Sequence, residues 1–392
     1  MTSLITPPAD PVGEIAAVLA RPDPRDMLAA RFAGYFAGHG LTVVAPVPIV
    51  TDDDSLLFTN ATIVPLKAAI EHDEIPDGGV YVRQPCLRTR NAALIRAGQQ
   101  PEYLSSFTML GIYLPASWSH RRVVDLVRGY LVEEEQLDPD RMALHTNPAT
   151  AFLRQEWADA VPGSPILEGR HSASYYRWTY GKDDWWGDGV TVALRQHDGT
   201  WQDIGNIIVM RAGDRVLGYE FGFGEETFLA RRHGVGSPYL FAGLHHIFPP
   251  DAVQPTPATQ DCVMTLAHLF HAGVAPGRGS RGSIVRTTVN NLLSRLEAEA
   301  ITLDAALEWL RAYTVTAFGP YAEDSERILR SYSAARIQRI ERFGAYAGNQ
   351  VRLDVLRGPD LRAALTLVGT RRYGLDDLLT ARILDTILED VP

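Results

Sequence analysis

The sequence predicts an α+β fold in which an antiparallel β-sheet flanked by helices is followed by an all-α part. Runs of alternating residues near 189–196, 201–211 and 215–224 are joined by short turns, and short connections between consecutive strands favour antiparallel pairing. After about residue 258 every periodic stretch is helical, and four prolines in "FPPDAVQPTPATQD" (248–261) interrupt the pattern between the two regimes. A sheet domain is therefore expected over residues 1–250 and a helical domain over 251–392.

Taken in order, Arg25 to His39 carries Leu28, Phe32 and Tyr35 at helical spacing and stops at Gly40, after which "LTVVAPVPIV" reads as strand and turn. "GGVYVRQPCLR" (78–88) and "SSFTMLGIYL" (105–114) read as strands, joined by a basic stretch too long for a tight hairpin. A helix follows near 121–135, then the three strands already named. In the second part, helices are expected near 261–272, 283–299, 302–317, 324–345 and 374–389, with the glycine- and arginine-rich "APGRGSRGS" (275–283) between the first two.

Composition narrows the classes. A chain of 392 residues, 46% hydrophobic and 21% charged, has the profile of a folded protein with sizeable cores. No run approaches the ~20 apolar residues of a membrane span, so no membrane partner is expected. Cys86 and Cys262 lie too far apart in sequence to read as a metal knuckle or a disulfide framework, which favours a reducing cytoplasm. The net charge of −10 argues against general nucleic-acid affinity and leaves room only for a local basic face.

The stretch "RVLGYEFGFGEETFLARR" (215–232) concentrates chemistry. Strand alternation puts Leu217, Tyr219, Phe221 and Phe223 on one side, and Gly218, Glu220, Gly222 and Gly224 on the other. Three glycines on one face mean either a packed neighbour or a ligand that approaches the backbone closely. Glu225 and Glu226 open the next helix at the positive end of its dipole, and Arg231 and Arg232 close it, which is also ordinary capping chemistry. His268 and His271 sit one helical turn apart and His245 and His246 are adjacent, but neither pair has an evident third ligand.

The order of motifs resembles the class II aminoacyl-tRNA synthetases, and within them the alanyl-tRNA synthetases. The markers are "LLFTNATIVPLKAAI" (56–70), "QPCLR" (84–88), "SFTMLG" (106–111), "GNIIVM" (205–210) and "EFGFGEE" (220–226), extended by "AGVAPGRGSRGSIVRTTVNNLL" (272–293) at the start of a tRNA-recognition-like helical part. The resemblance spans roughly residues 25–295 and implies a diverged, shortened paralogue lacking the family's zinc-bearing editing domain and its terminal domain. It implies amino-acid activation with ATP and Mg²⁺, and no zinc. By resemblance Arg88 holds the α-phosphate and the amino-acid carboxylate, Phe107 stacks on adenine over Gly222 and Gly224, and Glu226 helps to hold magnesium. Trp186, Asn206 and Ile208 line a small amino-acid pocket, and Glu220 stands where an aspartate holds the substrate ammonium.

Departures are expected to weaken the ATP side. Thr227 stands where the family has an arginine over adenine, Asn91 and Ala92 replace an acid-bearing loop, and Ala193 or a neighbour replaces a glutamate. Arg90, Arg96, Arg231 or Arg232 remain as sources of replacement charge. On the tRNA side Thr287, Asn290 and Asn291 stand where arginines are expected, with Arg286 kept. Arg327, Arg330, Arg336, Arg339 and Arg342 form a stripe that reads better as an ion-paired helix face than as an RNA surface. Three functions follow from the resemblance: a ligase that activates a small amino acid for tRNA or another acceptor, an ATP-independent transferase fed by preformed aminoacyl-tRNA, and a non-catalytic amino-acid or nucleotide sensor.

Overall fold

The computed structural model describes residues 23–52, 56–148, 153–169, 171–180, 184–243, 247, 254–321, 323–352, 359–375 and 377–389. His245 and His246, and residues 248–253 of the proline-rich stretch, lie outside the described residues. The chain divides into two compact units, one made of 1–88 with 102–249 and the other of 89–101 with 250–392. The basic stretch after Arg88 is thus counted with the helical unit and contains a helix of its own, Arg90–Arg96.

The first unit is built on nine strands: β1 (Thr42–Val43), β2 (Val80–Leu87), β3 (Ser106–Pro115), β4 (Met142–Thr146), β5 (Ile166–Glu168), β6 (Arg177–Thr179), β7 (Trp185–Arg195), β8 (Trp201–Ala212) and β9 (Arg215–Gly224). They lie in the order β1-β2-β3-β9-β8-β7-β4-β5, with β6 on β7. The six central strands β2, β3, β9, β8, β7 and β4 pair antiparallel, with short turns joining β7, β8 and β9 as the sequence predicts, whereas β1 runs parallel to β2 and β5 parallel to β4. The sheet is therefore mixed at its edges, where longer connections allow parallel pairing.

One face carries the apolar residues. Leu110, Ile112 and Leu114 of β3, Val190 and Val192 of β7, Ile207 and Val209 of β8, and Phe221 and Phe223 of β9 are all buried in one cluster. Against them pack α1 (Pro24–Gly38) through Leu28, Phe32 and Phe36, and the helix His120–Gly129 through Val123, Val124 and Val127. α1 starts on an Asp23 cap with proline at its first position, the usual helix-opening chemistry. A buried carboxylate braces this layer: Glu135 accepts from Arg31 of α1 at 2.9 and 3.0 Å, from Tyr130, and from Arg232 of the helix Glu225–Arg232.

The opposite face holds a smaller cluster of Val80, Tyr113, Tyr180, Trp185, Ile208, Met210 and Leu217 with Ile63, Leu66 and Ile70. Leu217 belongs here and not with Tyr219 and Phe221, because the register slips between Met210 and Arg211 and resets the alternation of β9.

The second unit is helical beyond residue 254, with helices Pro257–His271, Ser280–Ala298, Leu303–Phe318, Glu323–Arg352, Pro359–Arg371 and Asp377–Glu389. All five expected helices are present, the fourth running on to Arg352 past its expected end near 345, and Pro359–Arg371 is an addition. Phe343, Ala347, Leu361, Leu365, Leu379 and Leu384 form the core of its last three helices.

Candidate functional site

Register decides which side chains share the second face of the sheet. Phe107 and Met109 of β3 are followed across β9 by Gly224, Gly222 and Glu220, then by Asn206 and Ile208 of β8, then by Thr191 and Gly189 of β7. Arg88, at the end of β2, lays its guanidinium 5.0 Å from the centroid of Phe107, within cation–π range. Its hydrogen bonds go to the Asn60 carbonyl at 3.1 and 3.2 Å, with Met109 Sδ at 3.7 Å, and no carboxylate pairs with it among the described residues. Arg88, Phe107, Gly222, Gly224, Glu220, Asn206 and Ile208 are thus brought to one face.

Glu220 is the acid of that face. It is buried, accepts from Thr62 Oγ1 at 2.7 Å and from Tyr180 Oη at 3.3 Å, and lies within electrostatic reach of Arg88. Burial pushes its carboxyl above the usual carboxylate range, against the opposing pull of Thr62, Tyr180 and Arg88. An unpaired guanidinium and a buried acid around a glycine floor make complementary ends for a zwitterion.

The glycines divide into two kinds. A Cβ on Gly218 would meet Leu114 O at 2.4 Å and Tyr113 Oη at 2.5 Å, so packing alone requires glycine there. At Gly222 and Gly224 the nearest heavy atoms to an added Cβ stand at 3.5 Å, ordinary contact, so packing does not by itself require glycine there. Ile208 fills the space over Gly187 and Gly189, where an added Cβ would fall 2.6 and 3.1 Å from its Cγ2 and Cγ1, and so narrows the face beyond Glu220.

Trp186 is corrected by the register. It pairs with Arg211 on the other side of β7, donates to the Gly213 carbonyl at 3.1 Å and lies beneath Arg177 and Arg211. Its neighbour Trp185 packs with Ile208 and Tyr180. Because side chains alternate, adjacent tryptophans fall on opposite faces, and residue type in "WW" does not choose between them.

Glu226 is buried beside Phe107's strand. Both its oxygens face Thr108 N–H at 3.3 Å, Arg25 Nη1 lies at 3.8 Å, and burial raises its pKa. Glu225 points elsewhere and accepts from Arg83 at 2.7 and 3.0 Å. Arg25, at the start of α1, is the cation that sequence reading missed, since nothing local to "PDPRDM" ties it to a carboxylate two hundred residues on. Thr227 sits half-buried next to Gly224. Neither arginine of its helix substitutes for it: Arg231 turns to Gly236 O and Glu102, both at 3.4 Å, and Arg232 is spent on Glu135. Arg96 lines a cavity within the second unit.

That cavity, of about 340 Å³, is also lined by Arg286, Arg336, Arg339, Tyr332 and Tyr373. The arginine stripe behaves mostly as an ion-paired face: Arg327 pairs with Asp324, Arg330 with Glu326 and Asp304, and Arg336 with Glu297. Thr287, Asn290 and Asn291 spend hydrogen bonds on the carbonyls of Ser283, Arg286 and Ala92. His268 is taken up by Tyr313 and the Phe318 ring, and His271 stacks on Phe318, so this pair is packing. Cys86 and Cys262 are buried free thiols, the first pushed up to about 12 by burial.

Residues 28–201 match the family described as tRNA synthetases class II (A). Two alanine–tRNA ligases are similar over more of the chain. That of Methylococcus capsulatus is 25% identical over 68% of this chain and 35% of the ligase, and that of Ehrlichia chaffeensis is 24% identical over 66% and 33%. The chain thus spans about a third of the length of these ligases. Solved structures of Staphylococcus aureus histidyl-tRNA synthetase (TM-score 0.37, 12% identity, 54% of this chain and 68% of that one) and Entamoeba histolytica asparaginyl-tRNA synthetase with asparaginyl-adenylate (TM-score 0.38, 13% identity, 58% and 66%) are also similar. The sheet with its motif order and the family match define a class II synthetase-like domain. Over residues 28–201 the chain is thus similar to the class II (A) tRNA synthetases, and over about two thirds of its length to alanine–tRNA ligases.

Proposed function

We propose that the open face of the sheet binds a small amino acid and activates it with ATP for transfer to tRNA or another acceptor. The observation that carries this reading is Arg88: a guanidinium free of carboxylates, set over Phe107 and one strand away from the glycine floor. A guanidinium pairs bidentately with carboxylate and phosphate alike, so one residue orients the attacking carboxylate against the α-phosphate. Glu220 receives the ammonium, and Ile208, Asn206 and Trp185 limit the side chain. Such a reaction needs positioning and charge stabilisation more than covalent help from the protein. Mg²⁺ would accompany ATP as its counter-charge. Glu226, buried against Thr108 N–H and Arg25, is a poor fit as its ligand.

Incubation with labelled pyrophosphate, ATP and each small amino acid tests the reading. Label entering ATP with one amino acid is the expected result, and no exchange with any of them overturns it.

Thr227 favours a second reading. With Arg231 and Arg232 both engaged away from it, this helix offers no cation over a nucleotide, which suits a transferase that receives an aminoacyl group already activated. Product formed from preformed aminoacyl-tRNA without ATP would select this reading.

A further inference from the structure

The open face extends past Asn206 to a second group of side chains that the amino-acid site does not use. β7 lies between β4 and β8, and the register pairs Ala193 with Ala143 on one side and with Asp203 on the other. A slip between Val192 and Ala193 turns Ile204 to the apolar layer and Asp203 to the open face. His145 of β4 reaches over this small-residue gap and sets its Nδ1 2.7 Å from Asp203 Oδ1. From the segment before Tyr175, His171 brings Nε2 to 3.9 Å from Asp203 Oδ2. That nitrogen is buried and makes no hydrogen bond among the described residues. One ligand atom from each of the three residues lies within 4.8 Å of the others.

We propose that His145, His171 and Asp203 form a binding site for one divalent transition-metal ion of the zinc type. The donor set is two imidazoles and a carboxylate, which suits zinc or its first-row neighbours and not magnesium or calcium, whose ligands are oxygens. In a tetrahedral site with metal–ligand bonds near 2.0–2.2 Å, ligand atoms stand roughly 3.4 Å apart. The two spacings seen here, 2.7 Å from His145 to Oδ1 and 3.9 Å from His171 to Oδ2 of the same carboxylate, lie on either side of that value, and the three ligand atoms fall within 4.8 Å of one another. Charge points the same way. No lysine or arginine pairs with Asp203 among the described residues, although the carboxylate is largely buried. A cation held between it and the imidazoles adds charge compensation to the hydrogen bonds that His145 and Tyr175 make to it.

The surroundings hold the ligands in place. Tyr175 donates its hydroxyl to Asp203 while its ring stacks on His171 at 3.9 Å, which fixes the carboxylate and one imidazole together. His145 is fully buried, whereas Asp203 and His171 keep 19% and 30% exposure, so the open coordination position faces the side from which solvent or substrate arrives. Sequence reading passed over this trio because its members are spread over 58 positions and share no motif.

The test uses the untagged full chain, dialysed against Co²⁺ or Zn²⁺ and then against metal-free buffer. About one ion per chain is expected by elemental analysis, with the visible absorption of tetrahedral Co²⁺ and a Zn²⁺-dependent rise in Tm. His171→Ala, at a partly exposed position that leaves the strands intact, is expected to abolish all three. Tyr175→Phe is expected to weaken affinity by roughly 10–100-fold, as loss of an outer partner does. A wild-type chain that retains no ion, or a His171→Ala chain that binds Co²⁺ as the wild type does, overturns the proposal.

Discussion

At the residue scale, Arg88 and Glu220 make separable predictions. Arg88 is exposed and its contacts are to a carbonyl, a sulfur and a ring face, so Arg88→Ala should leave the thermal midpoint nearly unchanged, within about 0.5 kcal/mol of stability. Pyrophosphate exchange should nonetheless fall on the order of 100-fold or more, because a preorganised donor to the reacting groups is gone. Exchange unaffected by this substitution would remove Arg88 from the site. Glu220 predicts a pH dependence. Its folded pKa is raised by burial, so the protonated form favours the fold: this contribution to stability is complete below the ordinary carboxyl pKa and is lost as pH rises through the raised value. An ammonium ligand needs the ionised form, so its affinity should climb over the same window in which the empty protein loses stability. Calorimetric titration of the amino acid and melting curves across pH 4 to 8 check both trends, and Glu220→Gln should flatten both.

At the element scale, β9 shows how much a strand's sequence can disclose. Gly218 and Gly222 look alike in "LGYEFGFG", but only the first is closed over by Tyr113 and Leu114. Gly218→Ala should therefore destabilise by roughly 1–3 kcal/mol through overpacking, while Gly222→Ala should fold normally and lose ligand affinity. Equal melting points for the two variants would contradict that division. Glu135 makes a different element-level claim, since it ties α1 to the helix Glu225–Arg232. Glu135→Ala should cost on the order of 3–5 kcal/mol in denaturant unfolding, as removal of one partner from a buried pair does. The long strands and helices were legible in the sequence because alternation and 3.6-residue spacing record which face is buried. The short strands β4, β5 and β6 were not: the five residues of β4 are all buried and show no alternation to read. Motif order named Arg88, Phe107 and Glu220, but it did not separate Trp185 from Trp186 or reach Arg25, whose roles depend on register and on contacts distant in sequence.

At the scale of the whole molecule, a net charge of −10 must be set against any nucleic-acid partner. Backbone contacts dominate such affinity, and most stripe arginines are already neutralised by Asp304, Asp324, Glu326 and Glu297. Arg286 and Arg339 differ, for they line the cavity of the helical unit without a carboxylate partner among the described residues, and Arg339 Nε is buried without an acceptor. If tRNA is the acceptor, few phosphates are neutralised, so binding should be weak and its dependence on salt shallow. Each of Arg286→Ala and Arg339→Ala should then lower affinity for all tRNA sequences alike and reduce the slope of log K against log salt by about 0.7–0.9. Filter binding of unfractionated tRNA from 50 to 200 mM salt measures this directly. A steep slope that neither substitution changes would place the RNA contact elsewhere on the chain. Amino-acid activation without any salt-sensitive tRNA binding would instead identify the acceptor as something other than tRNA.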